Sequence, residues 1–132
     1  YTVSITGDFP QIYFNNSGDK VKIKSIESWG NIVWSSMSYA FAGCSELSCN
    51  ATDAPNLSSV TDLSYMFLLA SIVNADFNNW DVSNVTNTRG MFRYAFAFDG
   101  DISDWDVSSV TNMTGCGFCH RHEFFIFRYL RF

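Results

Sequence analysis

Apolar and polar residues alternate along this chain in two rhythms, and the pair of rhythms recurs about every 25 residues. The first rhythm is an L-x-x-L-x-L-x-x spacing, which is typical of a short strand and the turn after it. It comprises Phe77, Trp80, Val82 and Val85. The second rhythm places apolar residues at i, i+3, i+4 and i+7, which predicts one buried side of a short helix. It comprises Leu63, Met66, Phe67 and Ala70.

The recurring block is clearest as WDVSNVTNTRGMF at residues 80–92 and as WDVSSVTNMTG at residues 105–115. A looser copy, PNLSSVTDLSYMF, occupies residues 55–67, and a divergent one, WSSMSYAF, occupies residues 34–41. Thr-Asn or Thr-Asp pairs precede the helix-like runs and carry oxygens suited to capping free amides. Because such a period is typical of stacked repeats, we predict an α/β leucine-rich-repeat-like solenoid with a short strand, a turn and a short helix per 25-residue unit.

The first 30 residues differ in kind from the repeats. Alternating runs near Val3 and Val21 predict strands, and the sequence NNSGD between them is typical of a turn. A repeat array needs a cap, because its first unit otherwise exposes an apolar end. We therefore predict an N-terminal strand-rich cap over residues 1–30, the repeat solenoid over residues 31–113 and an atypical tail over residues 114–132.

The overall composition narrows the classes of function. Of the 132 residues, 47% are hydrophobic, and the formal net charge is −5, which disfavours a nucleic-acid surface. No apolar run approaches the roughly 20 residues of a membrane span. The chain begins with Tyr1 and shows no cleavable leader, so we expect it to be a piece of a longer array. Its only histidines, His120 and His122, lie in the tail, so we expect neither an enzyme nor a cofactor.

The block W-D-V-S-N-V-T-N-M with M-F following, together with the N-terminal FPQIYFNNSGDKVKIKSIESWG, resembles the BspA-like leucine-rich-repeat surface proteins. The likeness covers roughly residues 5–113 and rests on a 13-residue block that recurs at a fixed period. It departs at Thr88, where that family usually has Met, and after Met113. The resemblance implies a secreted or lipid-anchored bacterial surface protein whose repeats bind host, matrix or other cell-surface proteins without catalysis.

We therefore predict a non-enzymatic extracellular or cell-surface module for adhesion or protein–protein binding. Stacked repeats keep their inward residues fixed and present variable residues outward. The outward positions that vary between copies, and that we predict to contact a partner, are Asn84, Arg89, Arg93, Tyr94 and Ser109. A structural spacer within a surface stalk is an alternative function.

The segment CGFCH at residues 116–120 suggests another alternative, a metal- or haem-binding redox module. C-x-x-C-H is the attachment spacing of a c-type haem, and C-x-x-C also occurs in dithiol centres and zinc sites. One four-ligand metal site could be made by Cys116, Cys119, His120 and His122. Each interpretation lacks a part, namely a βαβ context for the dithiol, a pocket for the haem or a fixed ligand geometry for zinc.

The tail after Met113 breaks the period, turns from acidic to basic and is rich in aromatic residues. Shifted by one nucleotide, codons permitted for residues 128–131 read Asp-Ile-Ser-Asp, the same string as residues 101–104. We therefore interpret residues 114–132 as a frameshifted repeat that packs poorly. In that case the CGFCH motif has no selected function. The coding DNA tests this interpretation, because another reading frame must continue the repeat.

Acidic residues cluster in the sequence FDGDISDWD, and such oxygens could hold calcium. They are Asp99, Asp101, Asp104 and Asp106. The matching positions of the preceding copy instead favour a repeated turn whose Asn and Asp side chains bond local amides. We assign Trp80 and Trp105 to the core rather than to sugar stacking.

Two cysteines in the first repeat leave a choice open. Cys44 and Cys49 are five residues apart, and a loop disulfide can span that separation if the backbone doubles back. Cys44 also aligns with Ala70 and Ala95, which favours a small buried residue instead.

Overall fold

A computed structural model describes residues 2–73, 75–98 and 100–118. Within these ranges the chain forms four strands of two residues each: β1 (Ser25–Ile26), β2 (Ser48–Cys49), β3 (Phe92–Arg93) and β4 (Gly117–Phe118). β1 pairs with β2 and β3 pairs with β4, both in parallel. The described residues contain no helix, and hence none that is long and apolar enough to cross a membrane.

The predicted α/β leucine-rich-repeat-like solenoid, with a short helix in each unit, is therefore wrong. Residues 63–70, where we predicted a helix, form successive turns instead. Every second amide donates to the carbonyl three residues back, namely Met66 to Leu63, Leu68 to Tyr65 and Ala70 to Phe67. The amides between them leave the segment and donate to the next copy, at 2.9 Å from Tyr65 to Arg89 and from Phe67 to Met91. A helix keeps all of these bonds within one segment, so the pattern excludes it.

The predicted N-terminal β cap is also wrong, since Ser25–Ile26 is the single strand among the described residues before residue 30. The side chains of Val3 and Val21 are 81% and 44% exposed, and only Ile23 of the second alternating run packs partly buried against the core. Residues 10–16 instead run beside the first repeat, where the Phe14 amide donates to the Ala40 carbonyl at 3.2 Å. The Phe14 ring packs 6.5 Å from the ring of Phe41 and so covers that end of the core.

Consecutive copies of the repeat lie side by side in one register. Single parallel bridges join Asp62 to Asn87 and Asn87 to Asn112, so each bridge links residues 25 apart. The Thr86 amide donates to the Thr61 carbonyl at 2.9 Å, and the Thr111 amide repeats this bond to Thr86 at 2.8 Å. Most backbone pairing between copies therefore comes from scattered bonds rather than from long strands.

Matching apolar side chains of successive copies stack on one another in the core. The rings of Phe41 and Phe67 lie 5.6 Å apart and those of Phe67 and Phe92 lie 5.7 Å apart, nearly parallel in both pairs. Trp80 and Trp105 are each 4% exposed and stack at 6.2 Å, which confirms their assignment to the core. The inward residues were thus predicted correctly even though the backbone that carries them was not.

One position of the repeat has a left-handed backbone in every described copy. It is held by Tyr39, Tyr65, Gly90 and Gly115, with φ of 55°, 55°, 61° and 64°. A second such position, four residues later, is held by Gly43, Leu69 and Tyr94. Non-glycine residues seldom adopt this conformation. In this chain the left-handed residues lie where turns within a copy alternate with bonds to the next copy. The side chains of Tyr39, Tyr65, Leu69 and Tyr94 at these positions lie on the surface described next.

Candidate functional site

The exposed side of the turn-rich segment carries aromatic and cationic side chains from several copies. We call this surface the Tyr/Arg face. It consists of Tyr13, Tyr39, Tyr65, Leu69, Arg89, Arg93, Tyr94 and Phe96. The stacking of copies in one register brings these side chains together, because matching slots of the repeat fall beside one another.

The first part of the Tyr/Arg face is a row of rings. Tyr13 meets Tyr39 edge-on at 6.2 Å, and Tyr39 stacks on Tyr65 at 4.9 Å with 22° between the ring planes. The guanidinium carbon of Arg89 lies 5.8 Å from the centre of the Tyr65 ring. A Cβ atom at Gly90 would lie 2.5 Å from Tyr65 Cε1, so glycine leaves the room that this ring needs. Each ring of the row is thereby held by its neighbours in adjacent copies.

The second part of the Tyr/Arg face is apolar and more exposed. Leu69, Tyr94 and Phe96 are 42%, 41% and 65% exposed. The guanidinium of Arg93 lies 5.0 Å from the centre of the Tyr94 ring, and its Nη2 donates to the Tyr94 hydroxyl at 3.3 Å. Phe96 packs beside Tyr94 at 6.0 Å. This part therefore offers apolar surface directly next to a cation.

The predicted contact residues fall into two groups. Arg89, Arg93 and Tyr94 belong to the Tyr/Arg face. Asn84 and Ser109 are exposed in a different turn of the repeat, which follows shortly after Trp80 and Trp105. There the Asn84 side-chain amide donates to the Ser58 carbonyl at 3.3 Å. Whether any of the five contacts a partner stays a prediction.

Sequence reasoning missed the rest of the face, namely Tyr13, Tyr39, Tyr65, Leu69 and Phe96. One signal was present, because tyrosine stands in the same slot in both earlier copies and glycine in both later ones. A slot shared by Tyr and Gly indicates a left-handed backbone rather than a place in the core.

The CGFCH segment is described only as far as Phe118, so Cys119, His120 and His122 of the predicted metal site lie outside the described residues. Its first residue, Cys116, is buried at 6% exposure in the slot that Met91 holds one copy earlier. Burial raises the pKa of the Cys116 thiol, and a hydrogen bond with the Thr88 hydroxyl only partly offsets this. Burial therefore disfavours the thiolate that would ligate a metal. The frameshifted-repeat interpretation falls largely on residues beyond 118 and stays a hypothesis.

The cysteines of the first repeat are both buried free thiols rather than a disulfide. Burial raises the pKa of Cys44 to about 12, although nearby Lys20 lowers it somewhat. Burial also raises the pKa of Cys49. Of the two alternatives from the sequence, Cys44 is the small buried residue and not one half of a loop disulfide.

Two of the four clustered acidic residues, Asp101 and Asp106, form the repeated turn that the sequence predicted. An Oδ1 atom accepts the amide two residues ahead in Asp76, Asp81, Asp101 and Asp106, at 3.0, 3.1, 2.9 and 3.0 Å. The hydroxyl and amide of Ser83 lower the pKa of Asp81, against an opposing effect of Asp106 in the next copy. Asp99 lies outside the described residues. These carboxylates therefore stabilise turns rather than forming a free acidic cluster.

An open depression of about 650 Å³ lies beside these turns and is lined in part by Asp76, Asn78 and Asp104. Asn78 and Asp104 bond each other twice across it, at 2.7 Å and 2.9 Å. Its polar groups thus join neighbouring copies, whereas the Tyr/Arg face leaves its groups available.

Comparison with known proteins places the chain in a family. No curated protein and no solved structure matches it. A family model described as "Mycoplasma protein of unknown function, DUF285" matches residues 8–123. That range includes both clear copies of the repeat and every residue of the Tyr/Arg face. Since the match covers most of the 132 residues, the chain belongs to DUF285, a family of Mycoplasma proteins of unknown function.

Proposed function

We propose that this chain is a non-enzymatic binding module displayed at the cell surface, where its repeats contact a host, matrix or other cell-surface protein. The single observation that carries the proposal is the Tyr/Arg face. Tyrosine and arginine are enriched in protein interfaces, because each combines a large contact area with hydrogen-bond donors. The likeness of the W-D-V-S-N-V-T-N-M block to BspA-like surface proteins supports the same function and the extracellular location.

The exposed apolar area favours binding over a spacer function. A spacer needs a solvated surface, yet this face leaves Phe96 65% exposed and Tyr13 58% exposed. Isolated exposed apolar residues are common, but contiguous ones next to cations are typical of interaction sites. Tyr94 and Phe96 pack against each other, and Arg93 lies over Tyr94, so these three exposed groups are contiguous.

The metal- or haem-binding alternative gains no support from the described part of the CGFCH segment. Metal ligation requires cysteine in its thiolate form. Cys116 instead has its thiol buried against Thr88 and a raised pKa. Binding through the exposed face is therefore the better supported function.

Adhesion of coated beads tests the proposal. Beads carrying the full chain should adhere to cultured cells or to matrix-coated surfaces, and protease treatment of those surfaces should abolish adhesion if the partner is a protein. The double variant Tyr65→Ala/Tyr94→Ala should reduce adhesion strongly. Thermal unfolding of each variant confirms that it is folded.

The control is Asn84→Ala/Ser109→Ala, which changes the two contact residues predicted from the sequence that lie outside the Tyr/Arg face, and because we propose binding through that face it should adhere like the natural chain. Loss of adhesion in this control alone would show that the turn with Asn84 and Ser109, and not the Tyr/Arg face, binds the partner. Equal adhesion to treated and untreated surfaces would overturn a protein partner, and no adhesion above uncoated beads would overturn the function.

A further inference from the structure

The two arginines of the Tyr/Arg face differ from the other cations of the described chain. Lys22 pairs with Asp19 at 2.9 Å, Lys24 pairs with Glu46, and Lys20 donates to the Asn16 carbonyl at 2.8 Å. Neither Arg89 nor Arg93 has a carboxylate partner within residues 2–73, 75–98 and 100–118. Both instead lie against tyrosine rings. In a chain with a net charge of −5, this leaves a small cationic surface whose charge a partner can neutralise.

The hydroxyls of the ring row add further donors. Tyr13, Tyr39 and Tyr65 have no hydrogen-bond partner for their hydroxyls among the described residues. The faces of the two central rings are already in use, because Tyr39 and Tyr65 stack on each other and Arg89 lies over Tyr65. A sugar would need a free ring face, whereas hydroxyls and ring edges suit a ligand rich in acceptors.

The length of the row suits a short extended peptide. The steps from Tyr13 through Tyr39 and Tyr65 to Arg89 measure 6.2, 4.9 and 5.8 Å, so the row spans at most about 17 Å. An extended chain advances about 3.3 Å per residue, so roughly five residues cover this distance. Backbone carbonyls along such a segment are acceptors at regular intervals.

From these observations we propose that the Tyr/Arg face binds an extended acidic segment of a partner protein. Carboxylates of the segment pair with Arg89 and Arg93, and its carbonyls accept from the tyrosine hydroxyls. An apolar side chain of the segment rests on the exposed surface of Leu69, Tyr94 and Phe96. Guanidinium groups favour carboxylates because two parallel donors match two acceptor oxygens. This inference rests on the proposed function and names its partner by chemistry.

Fluorescence anisotropy with defined peptides tests this inference on the full chain. The probe is a labelled six-residue peptide of glutamates with one phenylalanine, and its control has glutamine in place of each glutamate. The binding of the acidic peptide should weaken as salt rises, and the glutamine peptide should bind at least about tenfold more weakly than the acidic one. The variant Arg89→Gln/Arg93→Gln should lose about tenfold in affinity, as expected for two partly exposed charge pairs.

Lys22→Gln/Lys24→Gln is the matched charge control, since it removes two positive charges from paired sites elsewhere. It should bind like the natural chain. Equal binding of the glutamine peptide, equal loss in the Lys22→Gln/Lys24→Gln variant, or binding of a sulfated polysaccharide without binding of the peptide would overturn the inference. Bead adhesion that persists while the acidic peptide fails to bind would refute the acidic segment alone, whereas failure of both would also refute the proposed function.

Discussion

Gly90 occupies the slot that tyrosine holds in the two preceding copies, and the ring of Tyr65 lies over it. A Cβ atom added at Gly90 would lie 2.5 Å from Cε1 and 2.6 Å from Cδ1 of that ring. Gly30 has nearly the same φ, 64° against 61°, but a Cβ there meets nothing within 4 Å. Gly30→Ala therefore carries the backbone strain of Gly90→Ala without its steric conflict.

The difference between the two variants can be worked out from the contacts of Tyr65. Alanine in the left-handed region costs about 1 kcal/mol, and both variants share this cost. Gly90→Ala must also move the Tyr65 ring from its stack on Tyr39 and from Arg89. Such contacts contribute about 0.5–1.5 kcal/mol for the aromatic pair and about 0.5–1 kcal/mol for the cation. The free energy of unfolding should fall by about 2–3.5 kcal/mol in Gly90→Ala and by about 1 kcal/mol in Gly30→Ala.

Urea denaturation followed by tryptophan fluorescence measures these losses. In a Tyr65→Ala background the conflict is absent, so adding Gly90→Ala should cost only about 1 kcal/mol. The double-mutant cycle should therefore give a coupling energy of about 1–2.5 kcal/mol. Equal losses in Gly90→Ala and Gly30→Ala, with a coupling energy below about 0.5 kcal/mol, would refute the placement of the Tyr65 ring over Gly90.

Three further predictions concern the core, the pH dependence and the thiols. Phe67→Ala should lower the free energy of unfolding by about 3–5 kcal/mol, because the ring is fully buried in the phenylalanine stack. Phe96→Ala should change it by less than about 0.5 kcal/mol, because that ring is 65% exposed. The melting temperatures of the two variants test this difference. Burial raises the pKa of Asp53, but bonds from Trp29, Ser28 and Gly30 outweigh it, so its folded pKa lies below its unfolded value of about 3.9. The ionised Asp53 carboxylate therefore stabilises the fold above its unfolded pKa, and this stabilisation is lost as pH falls through its folded pKa. Asp53→Asn should reduce the difference in urea midpoint between about pH 7 and about pH 3. An unchanged difference would contradict the lowered pKa of Asp53. The Cys44 thiol, whose pKa burial raises to about 12, should resist alkylation of the native chain as judged by mass spectrometry of its peptide, and Cys44→Ala should fold, since alanine fills that slot in later copies.

The sequence allowed correct prediction of the side chains that face inward but not of the backbone that carries them. Apolar residues at i, i+3 and i+4 report the direction of side chains, and Met66 and Phe67 are buried as expected. A helix and a series of three-residue turns satisfy the same spacing. The destination of each amide hydrogen separates the two, and the bond from Tyr65 to Arg89 depends on a neighbouring copy rather than on local sequence.

The candidate site was partly predictable for a similar reason. Arg89, Arg93 and Tyr94 vary between copies, and that variation marked them as outward residues. Tyr13 lies before the repeats, so nothing in its local sequence indicates that it meets Tyr39. The rows of side chains arise only once copies stack in register, and stacking is a tertiary property that a single repeat does not encode.

The central claim is that consecutive copies stack in one register and so bring Tyr39, Tyr65 and Arg89 into one row. Nuclear Overhauser contacts in solution test it most directly, because the ring centroids of Tyr39 and Tyr65 lie 4.9 Å apart. We expect contacts between the protons of these two rings and between the backbones of Tyr65 and Arg89, without a continuous helical pattern through residues 63–70. A regular helical series of contacts through residues 63–70, with no contact between the two tyrosine rings, would contradict the account.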